Sequence, residues 1–439
     1  MSEKKSPRQH ATQAASKIPG MVRAFTTANL QAKEEGKTVA YSFISGLHDE
    51  ILRAMDIVPA WTENYAGICA AKRDATRFLV KAESENFSRS LCTYATCGIG
   101  FDIWREELGE MPPDPPWGGQ VKPDILLGQG QMLCDPRYKW YQALQHYMDV
   151  PMHVINLPFP AYEENITVEE VQDYYIKYSI EELKALISFL EKQTGKKMDW
   201  DKLSELIELS DRTWTLIGDV YDLRRAIPCP MDTGDAMNTM VPTVYMMGTQ
   251  AAYDFYKELY DELKYKIDNK IGVVEEEKYR LLWGGGLPPW FALADFNYFN
   301  SKGAVFAAEV TYRIVEPIEK LGLPKTNDPL EHLAWRWLKY WTYWYDKARK
   351  RPGSYPDVER LIEYIEDYKI DGIIMHTAFS CRSWHVGLLW QLDLLEKVYG
   401  DIPSLVLESD IVDASSYSEV DTHNRIDTFI ETLEAAKNK

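Results

Sequence analysis

Short apolar runs that alternate with helical segments predict an α/β protein with parallel sheets. A long helical stretch occupies the middle of the chain, and Ile227-Pro-Cys-Pro-Met231 interrupts it, because two prolines cannot continue a helix. Strand-length apolar runs lie on both sides of that break. The expectation is therefore two Rossmann-like or flavodoxin-like domains joined by a helical segment, with an N-terminal helical arm. The expected boundaries are 1–36 for the arm, 37–160 and 227–439 for the α/β domains and 161–226 for the connector.

Each element has its own signal. The polar segment before residue 37 reads as mostly helical. Val39–Ser45 reads as a strand, followed by helices over His48–Met55 and Lys72–Glu83. Asp124–Gly128 is an apolar run ending in glycine, the pattern of a buried parallel strand. A helix near Tyr138–Met148 leads to a further strand at Val154–Leu157. Thr167-Val-Glu-Glu170 is a capping box that opens a helix to about Gln193, and a second helix runs from Asp201 toward Arg225. Beyond the break, Leu281-Leu282-Trp283, Ala304–Ala308, Gly372–Met375 and Leu405–Leu407 supply strands. An aromatic helix at Leu333–Tyr345 and a last one near Asp421–Ala436 complete the pattern.

With 439 residues, two or three domains fit at about 150 residues each. The start of the chain lacks the apolar core of a signal peptide, and no run reaches the length of a membrane-spanning helix, which predicts a soluble, cytoplasmic protein. The net charge of −18 disfavours nucleic acid and anionic membranes as partners. Gly36-Lys37-Thr38 resembles the end of a phosphate-binding loop, but Gln31 stands where its first glycine belongs and a strand follows it, so the chain is not its own ATPase.

The six cysteines, at 69, 92, 97, 134, 229 and 381, are too sparse for a disulfide framework. Buried inert thiols, a nucleophile or metal ligands remain open. Cys134 and Cys381 each follow a strand, where open α/β sheets bind ligands. Cys92 precedes a helix beginning near Thr96. No tight Cys-x-x-Cys pair is present.

The segments Cys92-Thr-Tyr…Gly100, Leu133-Cys-Asp-Pro-Arg137 and His376…Cys381, with Leu157-Pro-Phe-Pro160 and Glu408-Ser-Asp410, resemble the 2-hydroxyacyl-CoA dehydratase and benzoyl-CoA reductase family over most of the chain. Length and the Cys-Thr-Tyr start look closer to the larger cluster-bearing subunit of ATP-dependent benzoyl-CoA reductases. The resemblance implies a [4Fe–4S] cluster held by Cys92, Cys134 and Cys381, with one iron left open for substrate. Cys97, five residues after Cys92, is the alternative first ligand. Cys69 and Cys229 match no motif and are expected to be structural. The resemblance also implies a homologous smaller cluster-bearing subunit, an ATP-hydrolysing iron–sulfur activator fed indirectly by ferredoxin, and an acyl-CoA substrate. The expected reaction is reduction of the ring of benzoyl-CoA or a relative by single electrons. The rivals are a 2-hydroxyacyl-CoA dehydratase subunit and a subunit that only relays electrons.

Further residues carry lesser expectations. His376 and His385 flank Cys381 as proton donors or as structural histidines. Arg382 is a candidate to neutralise the cluster or a CoA phosphate or simply to pair with a carboxylate, and Gly284-Gly285-Gly286 to bring backbone N–H groups close to a thioester or phosphate or merely to form a turn. Glu408, Asp410 and Asp413 follow a strand, and the alternatives for them are a solvated or capping role, orienting the cluster helix, or closing the site. Trp337, Trp341 and Trp344 recur at helical spacing as a core or interface stripe, and Lys347-Ala-Arg-Lys-Arg351 suits a helix C-terminus or a CoA phosphate.

Overall fold

A computed structural model describes residues 11–438 apart from 44–47, 131–133, 312 and 314–315. Among the described residues, eight strands form two four-stranded, wholly parallel sheets. The first contains β1 (Val39–Ser42), β2 (Val58–Trp61), β3 (Ile125–Gln129) and β4 (Met152–Ile155). The second contains β5 (Tyr279–Gly285), β6 (Ala304–Glu309), β7 (Gly372–Ala378) and β8 (Ser404–Ser409). Their orders, β2-β1-β3-β4 and β6-β5-β7-β8, are the same. The α/β class with two parallel sheets and an N-terminal helix is thus as expected.

Alternating side chains feed a core on each face. Val39 and Tyr41 of β1 enter one core while Ala40 enters another. Leu281 and Trp283 of β5 face one side and Leu282 the other. Burial on both faces explains why these strands read as continuous apolar runs.

Several elements differ from the sequence expectation. β2 and the helix Thr62–Ala71 were not foreseen, because Pro59 breaks the strand signal. β2 is an edge strand, where the missing N–H costs no ladder bond. The helix expected at Lys72–Glu83 spans Ala75–Ser84, and the strand expected at Val154–Leu157 lies at Met152–Ile155. Residues 44 and 45 of the expected first strand fall outside the described residues. The aromatic helix ends at Thr342, so Trp344 lies beyond it. The Thr167 capping box is present and opens the helix Val168–Thr194.

The N-terminal helix Gln13–Glu34 is not a separate arm. Its Ala14, Ile18 and Val22 belong to a core of the second sheet, while Asn29 Nδ2 donates to the Pro59 carbonyl of β2 at 3.1 Å. It therefore braces both halves. Gly100, on the helix Thr93–Leu108, allows the helix Ala75–Ser84 to pass close by: a Cβ there would lie 1.9 Å from the Phe78 carbonyl oxygen. Gly100→Ala should destabilise the protein by about 1–3 kcal/mol through overpacking, measured by urea unfolding.

Candidate functional site

Parallel strands all end at one edge, and each returning helix begins there. The carboxyl edges of the two sheets border a common cavity of about 500 Å³. Cys92, Cys134 and Cys381 all line it, together with Gly284 and Gly285 of β5. The three thiols share one local design. Each cysteine is the N-cap residue of a helix, beginning at Thr93, Asp135 and Arg382 respectively. In each, the peptide N–H three residues on, of Ala95, Arg137 or Trp384, faces the sulfur and favours its thiolate. Burial works the other way. It drives Cys92 well above the ordinary thiol range, raises Cys134 against the pull of Arg137, and pushes Cys381 up to about 11.

The chain neighbours of the cysteines hold the halves together. Thr93, after Cys92, uses its peptide N–H to donate to Ser380 Oγ at 3.2 Å, one residue before Cys381. Its hydroxyl donates to the buried Asp410. Arg382, after Cys381, pairs with Asp135, after Cys134. Asp413 accepts from Arg89 Nη1 at 3.0 Å, so Asp410 and Asp413 do close the seam, while Glu408 is exposed. Trp290 Nε1 donates to the Tyr94 hydroxyl across the cavity wall.

The remaining candidates divide clearly. Cys97 is buried off the cavity, where the neighbouring Cys69 and burial hold its thiol well above the ordinary range. Cys229 is buried and donates to the Met231 carbonyl at 3.1 Å. His376 is 1% exposed, with Nδ1 on the Leu287 carbonyl at 2.5 Å and Nε2 on Ser409 Oγ at 2.8 Å. His385 Nδ1 meets the Ala378 carbonyl at 3.1 Å. Neither histidine lines the cavity. Arg382 does, although it is turned to Asp135. Gly286 is a turn residue with φ +80°, where a Cβ would meet the His376 carbonyl oxygen at 1.8 Å. Lys347, Arg349 and Arg351 are committed to Glu363, Asp346 and Glu359 and lie off the cavity. Trp337 is core, whereas Trp341 reaches the cavity wall.

Two cavity residues escaped the sequence reading. Glu63 follows β2, the strand that Pro59 concealed. Arg137 was visible in the Cys134 motif, three residues beyond the thiol. They form a forked ion pair, Nε to Oε1 at 2.9 Å and Nη2 to Oε2 at 2.7 Å.

A two-sheet α/β protein whose three helix-capping cysteines meet at one cavity is the class defined so far. The chain belongs to the family described as 2-hydroxyglutaryl-CoA dehydratase, D-component, whose profile matches residues 45–433. It is 26% identical over 416 residues to a benzoyl-CoA reductase subunit of Thauera aromatica, covering 92% of this chain and 91% of that protein. It is 27% identical over 414 residues to the (R)-phenyllactyl-CoA dehydratase alpha subunit of Clostridium sporogenes, covering 93% and 92%. Identity to the (R)-2-hydroxyisocaproyl-CoA dehydratase alpha subunit of Clostridioides difficile is 26% over 416 residues, covering 93% of each. No described helix is long and apolar enough to cross a membrane.

Two outcomes follow from the seam. Thr93→Val leaves the buried Asp410 without that donor and should cost about 1–3 kcal/mol in urea unfolding. Burial lowers the His376 pKa from 6.5 to about 4, so the neutral ring favours the folded state above pH 6.5 and that contribution is lost as pH falls toward 4. Stability measured across this window should fall, and less steeply in His376→Asn.

Proposed function

We propose that this chain is the cluster-bearing catalytic subunit of an ATP-dependent aromatic acyl-CoA reductase, holding a [4Fe–4S] cluster through Cys92, Cys134 and Cys381. The observation that carries this reading is the meeting of three N-cap thiols, from both halves of the molecule, at one cavity.

The donor set fits that group. Burial disfavours free thiolates here, so a positively charged iron centre supplies what the protein withholds. Among the described residues no three His, Cys, Asp or Glu side chains stand close enough for a single metal ion. Three thiolates of a cluster attach to three different irons and stand farther apart. Cys97 suits the role less well than Cys92, because it is buried in the core and does not line the cavity.

When bound, the cluster supplies single electrons at low potential. The chain's own residues then have definable tasks. Trp117, Trp290, Tyr245, Tyr340 and Trp341 give the cavity aromatic walls suited to a flat acyl group. The Trp290–Tyr94 bond and the Thr93–Ser380 contact fix the cavity wall beside the thiols. Glu63 lies on the wall with the thiols, and both its oxygens accept from Arg137, which fixes that guanidinium beside Cys134. His376 is left a structural role because both ring nitrogens are occupied.

Reduction of benzoyl-CoA to a cyclic dienoyl-CoA takes two electrons and two protons. That requirement brings in the proposed partners: a homologous smaller cluster-bearing subunit, an ATP-hydrolysing iron–sulfur activator, and ferredoxin behind it. The subunit names of the relatives support an assembly of this kind. The second reading is a 2-hydroxyacyl-CoA dehydratase subunit, favoured by the comparable identity to two dehydratase alpha subunits. It removes water with no net reduction.

Iron and sulfide analysis with EPR on anaerobically purified protein should show the cluster lost in Cys92→Ser, Cys134→Ser and Cys381→Ser. Cys69→Ser and Cys97→Ser should keep it; retention in the first three would defeat the ligand assignment. Assays with activator, ATP and either benzoyl-CoA or a 2-hydroxyacyl-CoA decide the reaction. The reductase consumes two electrons per ring, and turnover of the hydroxyacyl thioester alone establishes the dehydratase.

A further inference from the structure

We propose that Lys72, seated on the Trp117 ring, holds the phosphate groups of a CoA thioester at the outer end of the cavity, and that the helix Thr62–Ala71 carries the pantetheine arm from there to the thiols. This rests on the acyl-CoA reading above and deepens it by giving the substrate a direction in the cavity.

One helix runs along the site. Glu63, Asn64, Gly67, Ile68, Ala71 and Lys72 all line the cavity, which is the spacing of a single helix face. At the first turn Glu63 is tied to Arg137, three residues beyond Cys134. At the other end Lys72 is exposed to solvent. The rise between the two positions is about 13 Å. A pantetheine arm has the bonds of roughly four extended peptide residues and spans about 14 Å. The face between carries only small groups at Gly67 and Ala71, and Trp290 supplies an apolar wall beside them: a Cβ at Gly67 would lie 3.6 Å from Trp290 Nε1.

The charge at the outer end is available to an anion. Although the chain carries −18 overall, Lys72 and Arg73 form no ion pair among the described residues, and the adjacent Asp74 is taken by Arg77. Arg73 donates through Nη2 to the Phe291 carbonyl at 3.2 Å, which fixes this corner to the second half. The Lys72 ammonium stands 5.2 Å from the centre of the Trp117 ring. Trp117 itself has a left-handed backbone, φ +52° and ψ +30°, which bulky side chains avoid. It is kept there within Pro115-Pro116-Trp117-Gly118-Gly119, and Tyr65 of the same helix donates its hydroxyl to the Pro116 carbonyl at 3.3 Å. The indole thus positions the ammonium without neutralising it, as a carboxylate would.

Two probes that differ only in their phosphates give the test. Benzoyl-CoA and S-benzoylpantetheine are titrated calorimetrically into the anaerobically purified complex, without activator or ATP so that nothing turns over. The wild type should bind benzoyl-CoA the more tightly, by a margin that shrinks with added salt. Lys72→Glu should weaken benzoyl-CoA about tenfold or more and leave S-benzoylpantetheine unchanged, while Lys72→Arg keeps the wild-type affinity. Trp117→Gly, which suits the left-handed backbone, should weaken benzoyl-CoA severalfold by releasing the ammonium. Equal affinity of the wild type for the two probes overturns the proposal, as does a Lys72→Glu variant that binds benzoyl-CoA normally or loses both probes alike. Each of these results leaves the cluster reading standing, since iron and sulfide content tests that separately. A cluster-loaded wild-type complex that binds neither benzoyl-CoA nor a 2-hydroxyacyl-CoA overturns both. Should Lys72→Glu fail to assemble, Lys72→Gln gives the same comparison.

Discussion

Parallel pairing constrains everything else in this molecule. A parallel strand leaves its sheet at the same edge as its neighbours, so the helices that follow all start at that edge. Two sheets of identical strand order then present two such edges to one cavity. A cysteine at the N-cap of such a helix inherits that location without further design. Three of the six cysteines occupy it, and each has the third amide of its helix facing the sulfur.

Holding the thiols from two sheets in one arrangement requires that the halves not drift. The contacts that prevent this are concentrated beside the cysteines, with Thr93 on Ser380 and Arg382 on Asp135. Asp410 shows why the seam must be closed: a buried carboxylate needs donors, and it finds Thr93 on the other half and the Val412 amide at 3.1 Å on its own. The N-terminal helix adds a brace, packed on a second-half core while bonded to β2.

The cavity combines aromatic walls with few charges, and its charged groups at the thiol end are paired, Glu63 with Arg137 and Arg382 with Asp135. Burial raises the thiol pKa values and makes them poor thiolates alone.

The local signals in the sequence were strong where one element decides its own form. The capping box at Thr167, the Pro-Cys-Pro break and the apolar runs of β3, β5, β6 and β7 read correctly, because burial on both faces writes itself as an uninterrupted apolar stretch. Cys134 and Cys381 were legible as residues beyond strand ends, and Arg137 lay within a motif already noticed. β2 was not legible, since Pro59 argues against a strand unless the strand is known to be an edge, and order in a sheet is a tertiary fact. Losing β2 also hid Glu63. The choice between Cys92 and Cys97 rested on resemblance alone. A helix turns Cys92 at its cap to the cavity and Cys97, within its second turn, to Cys69, a difference of direction that only the packed structure decides. His376 likewise stood beside a site in the sequence, and the strand pairing of β7 buried it between Leu287 and Ser409. The sequence determined which chemical groups stand at the ends of strands; the packing of two sheets decided which of them share a cavity, because that depends on contacts between residues hundreds of positions apart.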